Sequence, residues 1–204
     1  MARRNDHTPE ELKELVLQQT RSLLDQVPAA QLSLRKIAKQ VGYAPSTLIA
    51  LFGNYNSLLL QLNSQTLEEI YQQTSKQVNK DLRENEALLG FARVYHEYAM
   101  KNPHQWELVF DHKIPEGEEI PETHQAQMAK HFESIEMELR KINPDSSNKE
   151  IIKTARTIWA CVHGITVLSV NNKLFVQQEI NGLNLIESFM THYLKSWSEN
   201  SSTQ

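Results

Sequence analysis

The stretch from Leu34 to Leu58 decides the fold, and it reads LRKIAKQVGYAPSTLIALFGNYNSL. Apolar residues at positions 34, 37, 38 and 41 have the i, i+3, i+4, i+7 spacing of a short amphipathic helix. Gly42 can adopt the positive φ that ends such a helix, and Pro45 suits the first turn of a second helix of about eight residues. Two short helices across a glycine turn predict a helix-turn-helix, a motif whose second helix enters a DNA major groove.

The second helix of this motif has two unlike faces. The helical period predicts that Leu48, Leu51 and Phe52 are buried, that Ser46 and Ala50 point outward, and that Thr47 and Ile49 lie on the flanks. The outward residues are the ones that would meet the bases of a DNA groove.

The whole chain has the composition of a helical globular protein. Of its 204 residues 40% are apolar, six are Gly and seven are Pro, so we expect a sizeable core of long helices with short connections. No apolar run reaches the roughly eighteen residues of a membrane span, and the start of the chain lacks a signal-peptide core. The single Cys161 excludes an intrachain disulfide and a cysteine-based zinc cluster, which suits a cytoplasmic protein.

Charge is distributed unevenly along the chain. The formal net charge is −4, but residues 1–56 carry +2 and the remaining residues carry −6. A mildly basic head on an acidic body suits a small DNA-contacting module joined to a larger regulatory domain. Ordinary fluctuation in a short sequence would explain the same asymmetry.

The rest of the sequence predicts helices and no strand, so the expected fold class is all-α. Thr8-Pro9-Glu10-Glu11 has the pattern of a capping box and starts a helix that runs to about Gln26. Further apolar stripes predict helices over about 56–80, 86–101, 104–111, 122–142, 147–170 and 183–198. In the 122–142 helix the predicted buried residues are Met128, Phe132, Ile135, Met137, Leu139 and Ile142.

These helices predict a helix-turn-helix head at 1–55, a helical regulatory and dimerisation body at 56–198, and a disordered tail at 199–204. The two C-terminal helices carry the widest apolar stripes, and Ser147 with Glu150 predicts a capping box at the start of the first of them. We expect these helices to pair with their copies in a homodimer as a four-helix bundle. A monomer in which they only close the core is the alternative.

The segment 33–58 resembles the DNA-binding head of the TetR family of bacterial transcriptional regulators. The resemblance rests on Ser33-Leu34-Arg35-Lys36-Ile37-Ala38, Val41-Gly42-Tyr43, Pro45-Ser46-Thr47-Leu48, Phe52 and Leu58. Trp159, His163 and Gly164 further resemble a Trp-x-x-x-His-Gly motif in one branch of that family. The resemblance implies a homodimer that binds a palindromic DNA operator, usually as a repressor, and that a small-molecule effector releases.

The resemblance also implies roles for individual residues. Ser33 would cap its helix onto a DNA phosphate, Arg35 would reach a guanine edge, and Lys36 would add positive charge beside them. The residues that would line the groove are Tyr43, Ala44, Pro45, Ser46 and Thr47. Arg3 and Arg4 would extend into the adjacent minor groove, as basic arms do.

The chain departs from the family pattern at three DNA-facing positions. Ile49 replaces a Tyr that binds phosphate, and Tyr55 replaces a Lys, although its hydroxyl would still reach a phosphate. Each lost charged contact reduces the salt-dependence slope by about one unit, so we expect weaker or more salt-tolerant operator binding, which Ile49→Tyr would tighten. Ala44 stands where Ser commonly caps the recognition helix, a loss of about 1 kcal/mol.

Aromatic residues of the body would form an apolar effector cavity between helices, the usual kind of ligand site in a bundle. The candidates are Phe91, Tyr95, Tyr98, Trp106, Phe110 and Trp159, and ordinary core packing is the alternative for all of them. His163, one turn after Trp159, would bond either a ligand or a neighbouring backbone group. Gly164 would then allow another helix to approach closely.

Other classes of function find little support in the sequence. His124 and His131 share a helix face, and His104 and His112 flank a short aromatic helix, but neither pair has metalloenzyme spacing, so we predict surface histidines and no metal or cofactor. Cys161 and His163 point apart on a helix, which argues against an enzyme. The alternative function is a TetR-like adaptor that acts mainly through a protein partner and has weakened DNA binding.

Overall fold

Helices account for the architecture of the chain wherever the structure, a computed structural model, describes it: residues 7–78, 84–117, 120–175 and 180–200. Within these ranges there are nine α-helices, a short 3₁₀ turn at Ala29–Gln31 and no strand, which confirms the predicted all-α class. The helices are α1 (Pro9–Leu24), α2 (Leu34–Val41), α3 (Pro45–Phe52), α4 (Tyr55–Val78), α5 (Glu84–Lys101), α6 (Pro103–Asp111), α7 (Glu122–Ile142), α8 (Asn148–Val170) and α9 (Gly182–Asn200).

Capping residues set the starts of several helices. At α1 the predicted capping box forms completely, because Glu11 N donates to Thr8 Oγ1 at 3.2 Å and Thr8 N donates to Glu11 Oε2 at 2.7 Å. These bonds lower the pKa of the Glu11 carboxyl, and the backbone bond from Thr8 is the largest cause. At α8 Glu150 N donates to Ser147 Oγ, but the Glu150 carboxylate lies 3.6 Å from Lys153 Nζ, so the predicted box forms by half.

The chain divides into two compact units. The first draws its described residues from Met1–Thr66 and His104–His124, and the second from Leu67–Pro103 and Gln125–Gln204. This division differs from the predicted boundary at residue 55, because α6 and the first half of α4 belong with α1, α2 and α3. Leu108 of α6, for example, is 5% exposed within the core of the first unit.

The first unit encloses one hydrophobic core. Its fully buried residues come from all of its helices and include Val16, Leu24, Ile37, Ala38, Leu48, Leu58 and Leu62. Full burial of one such aliphatic side chain contributes about 1.5–3 kcal/mol, so this core fixes the short helices α2 and α3, which are too short to be stable in isolation.

The second unit is built on α5, α8 and α9, which pack against one another. Its buried core residues include Leu88, Ala99, Leu139, Ile151, Ala155, Ile186 and Met190. Here the prediction for α7 was wrong at one position: Met137 is 50% exposed, and Glu138 is buried instead, with its carboxylate 2.6 Å from Lys141 Nζ. The helical period explains the difference, since Ile135, Glu138 and Leu139 follow the i, i+3, i+4 spacing and Met137 does not.

The close helix approach expected at Gly164 occurs at Gly182 instead. Gly164 is exposed, and a Cβ there would meet nothing within 4 Å. Gly182 is buried at the start of α9, and a Cβ there would lie 2.0 Å from Ser169 Oγ and 2.7 Å from His96 Cε1. Only glycine therefore permits α9 to begin this close to α8 and α5.

Smaller differences concern helix ends. α1 ends at Leu24 rather than near Gln26, and α9 continues to Asn200, so the first two residues of the predicted tail are helical. Residues 201–204 of that tail lie outside the described residues, as do Arg3 and Arg4 of the predicted minor-groove arm. In the described part of the chain no helix is both long enough and apolar enough to cross a membrane.

Candidate nucleic-acid interface and ligand cavity

Helix α2 is the support of the candidate DNA-binding surface. Ser33 caps it as predicted, because Lys36 N donates to Ser33 Oγ at 3.3 Å. Ile37 and Ala38 are buried at 0% and 1% exposure and anchor α2 in the core of the first unit. Arg35 and Lys36 are exposed on the opposite side, so α2 presents positive charge to solvent.

The turn between α2 and α3 forms at Gly42, as the sequence predicts. Gly42 has a φ of 81°, and its N–H and that of Tyr43 both donate to Ala38 O at 3.0 Å. A Cβ at Gly42 would meet nothing within 4 Å, so the backbone conformation, and not the available space, requires glycine.

Helix α3 begins at Pro45 without a side-chain cap, since Ala44 occupies the cap position. Leu48 and Phe52 are buried, and Leu51 is partly buried, as predicted. The outward residues are Ala44, Pro45, Ser46, Ile49 and Ala50, while Thr47 is half-buried. Ile49 is 37% exposed and therefore belongs to the outer face.

Two tyrosines of the predicted DNA-binding site contact other residues of the chain. The Tyr43 hydroxyl lies 3.0 Å from His7 Nδ1, and both rings meet edge to face. Tyr55 packs against the core of the first unit, and burial raises the pKa of its hydroxyl. Contact of the Tyr55 hydroxyl with a DNA phosphate stays a prediction.

The second unit contains a cavity at some of the residues predicted to bind an effector, and side chains almost fill it. Its lining residues are Leu88, Phe91, Ala92, Tyr95, Ile135, Ile158, Trp159 and Val162. The cavity volume is about 20 Å³, which is room for about one water molecule. Phe91, Tyr95 and Trp159 therefore come together as predicted, but a ligand of any size requires the cavity to widen.

His163 joins this aromatic wall through side chains. Its Nδ1 lies 2.8 Å from the Tyr95 hydroxyl, and its ring stacks on Trp159 with a centroid distance of 5.0 Å. Trp159 in turn meets Phe132 edge to face, and the Arg156 guanidinium lies 3.5 Å from the centre of the Phe132 ring. The sequence predicted either a ligand or a backbone group as the hydrogen-bond partner of His163, and the structure instead has the Tyr95 hydroxyl in that place.

Trp106 and Phe110 do not line this cavity, so their assignment to it was wrong. Both lie on α6 in the first unit, where their ring centroids are 5.0 Å apart and Trp106 is 2% exposed. Helical spacing predicted that the aromatic residues are buried, but it carries no information about which core each one enters.

Sequence reasoning missed a polar cleft of about 500 Å³ between α4 and α5 in the second unit. Its polar lining residues are Glu69, Gln73, Lys76, Glu97, Tyr98, Lys101 and Asn102. Tyr98, predicted at the aromatic cavity, lines this cleft and donates its hydroxyl to Glu69 at 3.0 Å. The polar residues recur at helical spacing on both helices, which is the signal that could have revealed the cleft.

The histidines considered for metal binding have protein partners. His131 Nε2 lies 3.1 Å from Leu67 O, and burial lowers the pKa of its ring. The others pair with Glu107 (His104), Asn63 (His112) and Ser64 (His124). The prediction that these histidines are solvated surface residues was therefore wrong. Among the described residues no group of three or more His, Cys, Asp and Glu side chains could hold a metal.

An incompletely covered apolar surface extends along the outer sides of α8 and α9. On α9 Ile186, Met190 and Leu194 are buried, but a second stripe at i, i+4 spacing is only half-buried: Leu185, Phe189, Tyr193 and Trp197. Leu168 of α8 is 42% exposed. This is the width of stripe from which the sequence predicts a homodimer interface.

Comparisons with known proteins agree with this architecture. Residues 88–191, slightly more than half of the chain, match the family model described as tetracyclin repressor-like, C-terminal domain. No curated protein sequence matches the chain.

Solved structures resemble the chain over most of its length. A protein of unknown function from Rhodococcus sp. RHA1 is 15% identical, with a TM-score of 0.76 over 96% of this chain and 98% of that chain. BioQ, solved with its natural double-stranded DNA operator, is 20% identical, with a TM-score of 0.62 over 88% and 98%. FadR of Thermus thermophilus, a TetR family transcriptional repressor in complex with lauroyl-CoA, is 13% identical, with a TM-score of 0.64 over 89% and 92%.

At these identities the structures show a shared fold, and the family model supplies the relationship in sequence. Because that model covers more than half of the chain, and helices α2 and α3 form the predicted helix-turn-helix, the chain belongs to the TetR family of transcriptional regulators.

Proposed function

We propose that the protein is a cytoplasmic, homodimeric repressor that binds a palindromic DNA operator and releases it when a small molecule enters the second unit. The observation that carries the proposal is the exposed outer face of α3, fixed by the Gly42 turn and flanked by Arg35 and Lys36 of α2. A short outward helix beside exposed cations is the arrangement that places side chains in a major groove next to phosphates.

The half-buried stripe of α9 supports the dimer. Phe189 and Tyr193 stack with ring centroids 5.3 Å apart, yet neither is fully buried in the single chain. Pairing α8 and α9 with their copies would remove this apolar area from water at about 25 cal/mol per Å². The relative BioQ was solved with its natural double-stranded DNA operator, which supports operator binding by this chain.

The effector would be a mainly apolar molecule, because the cavity walls are apolar. A polar group on this molecule would meet Tyr95, which lines the cavity and whose hydroxyl is hydrogen-bonded to His163. Since the cavity is now about 20 Å³, binding must separate Phe91 or Trp159 from their neighbours. The relative FadR was solved with lauroyl-CoA, whose acyl chain has the apolar character that this cavity would accept.

A gel-shift titration with DNA from the intergenic region upstream of the gene tests operator binding. We expect retardation at low salt, and a large loss with Arg35→Ala. Lys101→Ala is the matched control, because it removes one exposed cation from α5, outside the proposed dimer helices, and leaves the first unit unchanged. The proposal is refuted if no duplex is retarded at any low salt concentration.

The adaptor function has one observation in its favour, the absence of any charged side chain on α3. Affinity capture with the full chain separates the two functions. A stable protein partner together with no DNA footprint would establish the adaptor, whereas a footprint that Arg35→Ala abolishes would exclude it.

A further inference from the structure

The outer face of α3 is chemically unusual for a helix that reads bases. Its outward residues Pro45, Ser46, Ile49 and Ala50 include no guanidinium, amide or carboxylate. Those three groups make the bidentate hydrogen bonds that distinguish base pairs in the major groove. Among these four residues the Ser46 hydroxyl is the one polar side-chain group, and the rest of the surface that they offer is apolar.

Ile49 is the largest apolar side chain on this face, and it is the large apolar residue of α3 that is left most open to solvent by the packing of the first unit. The inward side of α3 is filled by Leu48 and Phe52, which are 0% and 6% exposed, whereas Ile49 is 37% exposed. More than a third of the Ile49 surface therefore remains exposed and is available to a partner.

The charges around this apolar surface indicate what the partner is. Arg35, Lys36 and Lys39 are exposed on α2, which packs directly against α3. A partner that contacts both helices would therefore meet positive charge on α2 and an apolar surface at Ile49. Duplex DNA fits both conditions, because the thymine C5-methyl is the apolar group that its major groove displays between two phosphate backbones.

We propose that Ile49 is a specificity-determining residue that reads thymine C5-methyl groups in each operator half-site. The proposal rests on the proposed function, in which α3 enters the major groove. Selectivity for A·T pairs at these positions would come from methyl burial and not from hydrogen bonds to the base.

Replacement of thymine by deoxyuridine in the bound duplex tests this directly, because it removes the methyl and keeps base pairing. Duplexes would be selected from a random pool with the full-length protein and then substituted one thymine at a time. Loss of one buried methyl should weaken binding about fourfold at one or more positions in each half-site.

Three variants assign the effect to Ile49. Ile49→Ala should bind thymine and deoxyuridine duplexes equally well, with the salt slope of the wild type, because no phosphate contact is lost. Ile49→Tyr should also lose the discrimination, even where an added phosphate contact tightens binding. Ile120→Ala is the matched control, since Ile120 is 45% exposed and lies outside α3 and outside the proposed dimer helices α8 and α9, and it should discriminate like the wild type.

Each outcome decides one point. Equal binding of both duplexes by the wild type at every position, or full discrimination by Ile49→Ala, overturns the role of Ile49 and leaves the proposed function standing. Failure to select any duplex refutes the proposed function and this inference together.

Discussion

Substitution of Gly182 by alanine should destabilise the second unit markedly. The added Cβ would lie 2.0 Å from Ser169 Oγ, far inside the 3.4 Å at which ordinary van der Waals contact begins. Ser169 Oγ cannot turn away freely, because it donates to Ile165 O at 2.8 Å. His96 Cε1, 2.7 Å from the same Cβ, is held by the bond between His96 Nδ1 and Thr166 Oγ1 at 3.2 Å.

The magnitude follows from these constraints. Overpacking of this kind costs about 1–3 kcal/mol, and loss of the Ser169 hydrogen bond costs about 0.5–1.5 kcal/mol. The better helix propensity of alanine returns at most about 1 kcal/mol. We therefore expect Gly182→Ala to lower the free energy of unfolding by about 2 kcal/mol, measured by urea denaturation followed by circular dichroism.

Two comparisons make the test specific. In a Ser169→Ala background the nearest clashing atom is absent, so the cost of Gly182→Ala should be smaller. Gly164→Ala, where a Cβ meets nothing within the chain, should instead stabilise a single chain by about 0.5–1 kcal/mol. An unchanged free energy of unfolding for Gly182→Ala, or the same cost in both backgrounds, would show that the close approach at the start of α9 is not real.

Three further substitutions have expected outcomes that the structure sets. Ala44→Ser supplies the cap that α3 lacks and should raise the free energy of unfolding by about 1 kcal/mol; no gain in urea denaturation would contradict this. Tyr95→Phe removes the hydroxyl that bonds His163 and should lower the free energy of unfolding by about 0.5–1.5 kcal/mol. An unchanged free energy of unfolding would mean that this hydrogen bond is not formed. Burial lowers the pKa of His131, so the unfolded chain takes up a proton before the folded chain does as pH falls below about 6.5. The free energy of unfolding should therefore fall as the pH is lowered through about 6.5. The fall should be smaller in His131→Gln, and an equal fall in that variant would refute the assignment.

The helix-turn-helix could be predicted from sequence because its determinants are local. Ser33, Gly42 and Pro45 mark helix ends by their backbone properties, and the apolar period selects Ile37 and Leu48 as buried. No distant residue is needed for any of these assignments, and the structure has each of them as expected.

The composition of the cavity could be predicted only in part. Phe91, Tyr95 and Trp159 meet as expected, but Trp106 belongs to a different core, although its local pattern looks the same. Which core an aromatic side chain enters depends on how the chain returns after Asn102 and Pro103, and helical spacing carries no record of that path. The same limit explains why the sequence predicts a close helix approach at Gly164, whereas the structure has it at Gly182.

The uncharged, exposed outer face of α3 has a consequence for how such proteins could change the DNA sequence that they bind. Helix α3 is anchored by the buried Leu48 and Phe52 and has no side-chain cap, so the more exposed Ser46, Ile49 and Ala50 contribute less to keeping it folded. Substitutions at these three positions can alter the chemistry offered to a duplex while the free energy of unfolding stays nearly constant. The residues that stabilise this eight-residue helix are thus different from those that would select the operator. A protein of this kind can therefore come to recognise a new operator without first gaining stability.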